Sequence, residues 1–163
     1  MANYISMKRI VILISFILIT LKLHAQEFKI NWISFEQLED SLKIKPKKVF
    51  ISFYADWCTY CKKMDATAFK DIEIIRILNN NYYAIKLNAE TKDTIVFEGK
   101  EYINKNIGKS RKPTHQIPLL LASRINMPFS LPANIVLDES FKIKGRYFEY
   151  LSPKKLISIL KKD

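Results

Sequence analysis

The sequence predicts an α/β sandwich, with a central mixed β-sheet flanked by helices. Two observations carry that expectation. A short apolar, β-branched and aromatic run, Val49 to Tyr54, stands just before a stretch of helical spacing that begins at Cys58. Near the C-terminus, two more strand-like runs flank a polar turn and lead into a last helix. Composition sets the scale. A chain of 163 residues, 48% hydrophobic and 26% charged, suits one globular domain. Three glycines leave no Gly-rich linker or phosphate-cradling loop, and no segment repeats at a fixed period.

Residues 1–25 read as an address. Lys8 and Arg9 precede an apolar run from Ile10 to Leu21, broken only by Ser15 and Thr20. Lys22, Leu23, His24 and Ala25 then lead to the polar Gln26 and Glu27. A basic start, a short apolar centre and a small residue before a polar one make a secretory signal peptide, with Ala25 the last residue removed. An N-terminal membrane anchor is the competing reading, although Lys22 cuts the run short of the ~20 apolar residues a span needs. The folded domain is then 26–163, and export would place its cysteines where disulfides form.

Within that domain, Ser34-Phe35-Glu36-Gln37 is a capping box that starts a helix carrying Leu38 and Leu42 on one face. Pro46 prevents its continuation. Val49 to Tyr54 suits a buried central strand. From Cys58 to about Leu78 the apolar residues Met64, Phe69, Ile72, Ile75 and Leu78 recur at helical spacing, and Asn79-Asn80-Asn81 ends the pattern. Tyr82 to Leu87 is the next strand. An insertion from Asn88 to Pro113 is less regular. In it Ile95 and Phe97 alternate before Glu98-Gly99-Lys100 and Tyr102, the pattern of a small hairpin. A short helix, about Gln116 to Ile125, follows. Ala133 to Leu137 and Lys142 to Phe148 flank the turn Asp138-Glu139-Ser140 as an antiparallel pair. Ser152 caps a last helix, with Pro153 at its first position.

The formal charge of +11 comes mostly from lysines spread along the chain. Without a clustered basic face interleaved with aromatics, the composition does not point to a nucleic-acid partner.

Chemistry concentrates in Phe53-Tyr54-Ala55-Asp56-Trp57-Cys58-Thr59-Tyr60-Cys61-Lys62-Lys63-Met64. A C-x-x-C lies where a buried strand ends and a helix begins. The first cysteine sits at the helix N-terminus, where unpaired amides and the helix dipole stabilise a thiolate. One turn on, the second is close enough to close a disulfide. The first thiolate attacks a substrate disulfide, and the second thiol resolves the mixed disulfide. Zinc needs four ligands, no second cysteine pair exists and His115 alone cannot complete the set, so no metal is expected, nor an organic cofactor. A structural disulfide remains the bland reading, but a bridge so short closes too small a loop to stabilise much.

This stretch resembles the active site of the thioredoxin superfamily. Tyr-Ala-Asp-Trp-Cys is especially similar to exported thioredoxin-like proteins and to the periplasmic C-terminal domain of the reductase DsbD. The resemblance runs from about Lys47 to the C-terminus. It implies a thioredoxin-like fold with an insertion before the cis-proline strand. By family position Cys58 is the nucleophile, Cys61 the resolving thiol and Trp57 the flanking aromatic. The family's cis-proline falls on Pro132 in Ser130-Leu131-Pro132-Ala133-Asn134, so Trp57, Leu131 and Pro132 are the substrate-binding candidates. Protein thiols and disulfides are the implied substrates, with an upstream membrane or thioredoxin-type electron donor.

Two departures from the family pattern matter. The buried acid that often lies under the second cysteine, six residues before the first, is here Ser52. Asp56 is nearer the surface and could substitute for it in part, but its favoured reading is a solvated loop acid. Between the cysteines, Thr59-Tyr60 supplies no histidine to stabilise the thiolate, which favours reductase over oxidant. His115 reads as a helix-start surface residue or a packing one rather than a catalytic one. The rival functions are a binding module that carries the cysteines incidentally, and a membrane-tethered donor arm for one dedicated pathway.

Overall fold

The computed structural model describes residues 29–162. Residues 1–25, read above as a signal peptide, lie outside them. Five strands form one sheet in the order β1 (Trp32–Ile33), β3 (Tyr82–Asn88), β2 (Lys48–Tyr54), β6 (Ala133–Leu137) and β7 (Ile143–Tyr147). The first three run parallel to one another, and β6 and β7 are each antiparallel to the strand before them in that order. A separate hairpin pairs β4 (Ile95–Phe97) with β5 (Lys100–Tyr102). The helices are α1 (Phe35–Ile44), α2 (Thr59–Ala66), α3 (Ile72–Asn81), α4 (Gln116–Ala122) and α5 (Pro153–Lys162). This is the expected mixed sheet between helical layers.

β2 explains the layering. Its side chains alternate across the sheet, as any strand's must. Phe50 enters a core with Met64, Leu78, Val136 and Leu156, under α2, α3 and α5. Val49, Ile51 and Phe53 enter the opposite core with Phe35, Leu38, Ile85 and Ile117, under α1 and α4. A run apolar at nearly every position is what a strand covered on both faces requires. Phe50 also packs its ring 6.4 Å from Trp32 and 6.2 Å from Phe69. Truncating it to alanine would cost about 3–5 kcal/mol.

The caps behave as the sequence indicates. Ser34 Oγ accepts from the Gln37 amide at 3.2 Å while Gln37 Oε1 accepts from the Ser34 amide at 2.9 Å. Pro153 opens α5, and the Ser152 hydroxyl accepts from the Lys155 amide.

The continuous helix expected from Cys58 to about Leu78 is instead two. Thr67 leaves helical space at φ −124°, ψ −81°, a 3-10 turn covers Ala68–Lys70, and Asp71 then caps α3 by accepting from the amides of Glu73 and Ile74. Periodicity misses the break because both helices turn the same apolar face to one core, through Met64, Ile74, Ile75 and Leu78. Ile72, counted on that face, is 52% exposed. Helix α4 ends at Ala122 rather than near Ile125, since Ser123 turns extended and Arg124 bridges to Met127 around Asn126 at φ 58°. The two-residue β1 had no signal long enough to register.

Candidate active site

Cys58 and Cys61 are joined in a disulfide, with their Cα atoms 5.3 Å apart. The chain leaves β2 at Tyr54 and turns through Ala55, whose carbonyl accepts from the Cys58 amide at 3.0 Å. That turn sets Cys58 as the N-cap of α2, in extended backbone at φ −76°, ψ 99°. Its Sγ accepts from the Cys61 amide at 3.2 Å. A sulfur in the N-cap position takes the role a serine or aspartate oxygen usually fills, and a thiolate fills it better than a thiol. No acid stands in the first turn of α2 to oppose that charge. Both cysteines are buried.

Sheet register brings a second piece of chain, distant in sequence, to the same place. Ala133 pairs with Phe53 and Asn134 with Ser52, antiparallel. The start of β6 therefore lies beside the end of β2. Pro132, one residue before, is buried there and follows a cis peptide bond from Leu131. Trp57 and Leu131 line one shallow groove with Glu90, Lys112, Thr114 and Phe129. The sequence candidates Cys58, Cys61, Trp57, Leu131 and Pro132 are thus gathered at one end of the sheet.

Ser52 is buried on the same face of β2 as Phe50. That face packs on Met64, one helical turn beyond Cys61. Opposite Ser52 in register stands Asn134, fully buried. Asn134 Nδ2 donates to Met64 Sδ at 3.7 Å, and its Oδ1 has no partner among the described residues. This buried pair is polar but uncharged. Lys86, aligned with Ser52 on β3, turns instead to Asp65 of α2 and lies 4.8 Å from the Tyr54 ring centre. Asp56 is exposed, as a solvated loop acid should be.

Trp57 is held from the insertion side. Its indole N–H donates to Glu90 Oε1 at 2.9 Å, and Lys112 Nζ sits 3.8 Å over the ring. Glu90 is placed by the end of β3, where Ala89 donates to the Tyr54 carbonyl and the Glu90 amide to Asn88 Oδ1. Lys112 is placed by two asparagines. Asn104 Nδ2 donates to the carbonyls of Thr91 and Pro113, and Asn106 Nδ2 to that of Thr114. Neither Glu90 nor Lys112 was legible as a site residue, because each reaches Trp57 only through the tertiary course of the insertion.

His115 is a fully buried clip rather than a surface group. It caps α4, Nδ1 accepting from the Ile117 amide at 3.2 Å, while Nε2 lies 3.1 Å from the Tyr102 carbonyl. The neutral tautomer with a proton on Nε2 satisfies both bonds. Burial lowers its pKa from 6.5, against the raising effects of the bond to Tyr102 and of Asp93. The His115 amide donates to the Ala89 carbonyl, tying α4 to the residue before Glu90.

Known proteins place this arrangement. DsbD thiol:disulfide interchange proteins match part of the chain, one from Pseudoalteromonas atlantica at 32% identity over 69 residues, 42% of this chain and 12% of that protein. Another, from Campylobacter jejuni, is 36% identical over 56 residues, 34% of this chain and 10% of its own length. The chain thus spans about a tenth of the length of these curated relatives. Among solved structures, the oxidoreductase DsbH superposes at TM-score 0.57 and 18% identity, covering 82% of this chain and 83% of that one. The oxidised C-terminal domain of Neisseria meningitidis DsbD superposes at 0.51 and 21% identity, covering 78% and 90%. These likenesses speak to the fold. Residues 35–162 match the model of the thioredoxin-like domain, and the chain belongs to that family.

Proposed function

We propose that this protein carries out dithiol–disulfide exchange on protein disulfides outside the cytosol, working as a reductase through Cys58 and Cys61. The observation that carries the proposal is the position of Cys58: a cysteine as N-cap, one helical turn from its partner, at the sheet end where cis-Pro132 also lies.

In the reduced protein the Cys58 thiolate attacks one sulfur of a substrate disulfide. That S–S bond breaks, the departing sulfur leaves as a thiolate and takes a proton, and a mixed disulfide forms with Cys58. Cys61 then loses its proton and attacks Cys58 Sγ, releasing the second substrate thiol and closing the Cys58–Cys61 bridge. Two electrons pass to the substrate, so an upstream dithiol donor, membrane-bound or of thioredoxin type, must return them. Trp57, Leu131 and Pro132 flank the exchange as substrate-binding residues. The lean to reduction rests on Thr59-Tyr60, which brings no cationic side chain against the Cys58 sulfur. The extracytoplasmic location rests on residues 1–25.

Reduction of insulin by the purified protein with a chemical donor tests the activity. Cys61→Ala is expected to accumulate mixed disulfides with substrate, and Cys58→Ala to form none and lose turnover. Accumulation on Cys61 in the Cys58 variant would reverse the two roles, and wild-type protein without turnover would leave only a binding module.

A further inference from the structure

The lysines are spread along the chain, but one stretch concentrates cations beside the site. Lys105, Lys109, Arg111 and Lys112 fall within eight residues that hold no acid, and all four are exposed. Among the described residues none of them forms an ion pair, whereas Lys43, Lys86, Lys155 and Lys161 each do. The stretch is not loose. Asn104 and Asn106 pin its two ends, and the Asn106 carbonyl accepts from the amides of Lys109 and Ser110. It ends with Lys112 over the ring of Trp57, on the rim of the groove shared with Thr114, Phe129 and Leu131.

Holding like charges together costs stability unless something else benefits. Two acids of the insertion are taken up by neutral hydrogen-bond donors rather than by these cations. Glu90 is engaged by the Trp57 indole, and Asp93 Oδ2 accepts from the Thr91 hydroxyl. Asp56, next to Trp57 in the chain, is exposed and forms no ion pair among the described residues. Across the cysteines, Lys62 is exposed on α2 and adds to the same sign.

We infer that this cationic run is a docking surface for an acidic protein segment, one that carries the substrate cysteine with Asp or Glu residues beside it. The inference rests on the exchange reaction proposed above and adds its partner's chemistry. Apolar side chains next to the substrate cysteine would enter along Phe129 and Leu131, while the flanking acids meet Lys105, Lys109 and Arg111. Charge of this kind acts chiefly on the rate of encounter and on choice of partner, and salt screens it.

The test uses the full chain and two synthetic peptides with the same disulfide, one flanked by glutamates and one by lysines. At low salt the glutamate peptide is expected to react roughly tenfold faster, with the ratio falling toward one as salt rises. In the triple variant Lys105→Glu, Lys109→Glu, Arg111→Glu that ratio is expected to invert. Because a ratio is read on each protein, a general loss of folding or activity does not mimic the effect. Equal rates in the wild type, or a preference the triple variant keeps, would overturn the inference. Serine-for-cysteine versions of both peptides, followed by fluorescence anisotropy, read docking even if no exchange occurs, so a failed reaction and a failed docking surface are told apart. If the triple variant instead loses binding only to phosphatidylglycerol vesicles, with no change toward peptides, the surface serves a membrane and the inference is wrong.

Discussion

Two aromatics flank the disulfide, and they are held very differently. Trp57, 48% exposed, is fixed by a hydrogen bond from its indole to Glu90 and by Lys112 over its face. Tyr60, 59% exposed, only leans on Tyr150, ring centres 6.4 Å apart. Both belong to the same short stretch of sequence, yet one wall of the site is built by the insertion and the other by the chain's last loop. The difference teaches that the insertion does more than lengthen the chain before cis-Pro132. It preorganises the side of the cleft on which Leu131 lies, and order imposed before binding need not be imposed by the substrate.

The comparison breaks first at Trp57. Trp57→Ala is expected to lower kcat/KM for a protein disulfide about tenfold, while Tyr60→Ala lowers it about twofold or less. Glu90→Ala should approach the Trp57 effect without touching the cysteines, and combining it with Trp57→Ala should add little. Equal losses at Trp57 and Tyr60, measured with a reduced peptide-disulfide assay, would remove the distinction between the two walls.

The buried pair Ser52 and Asn134 gives the next largest effect. It is polar but uncharged, with Asn134 Oδ1 lacking a partner among the described residues. Ser52→Asp is expected to destabilise the oxidised protein by about 1–3 kcal/mol, because a carboxylate must be desolvated there. The same change should quicken resolution of the mixed disulfide near neutral pH, by giving Cys61 a base. Stopped-flow reduction and denaturant melts of the two proteins read these separately. No change in either would place Ser52 away from Cys61.

The smallest effect concerns the clip that holds the insertion. Burial depresses the His115 pKa below 6.5, so the folded protein keeps the ring neutral where the unfolded chain takes up a proton. Its contribution is therefore complete above about pH 6.5 and is lost as pH falls toward the depressed folded value. Denaturant midpoints of the wild type should fall as pH drops below 6.5, and His115→Asn should flatten that slope while retaining a capping acceptor. An identical slope in the variant would assign the pH dependence to other groups.

Local chemistry was legible in the sequence and tertiary placement was not. The strand Val49 to Tyr54, the cysteines at the next helix start, the Ser34 capping box and Pro153 at the head of the last helix all follow from near neighbours in the chain. The bonds that make them close within a few residues. Pro132 follows from resemblance, and its place one residue before Ala133, the partner of Phe53, comes from strand register. The break at Thr67 escaped because the apolar period runs through it, although Asp71 followed by Glu73 was a readable cap. Glu90 and Lys112 had no readable signal at all. Separated from Trp57 by 33 positions in one case and more in the other, they meet it only once Asn88, Asn104 and Asn106 have folded the insertion back on itself.

The reduction potential of the Cys58–Cys61 couple, read by equilibrating the protein in glutathione buffers and quantifying the two forms, tests the central claim most directly. A disulfide reductase without a cation between its cysteines is expected at or below about −200 mV, in the range of reducing members of such systems. A value near −120 mV, where strong oxidants lie, would contradict the account and make the protein a source of disulfides instead.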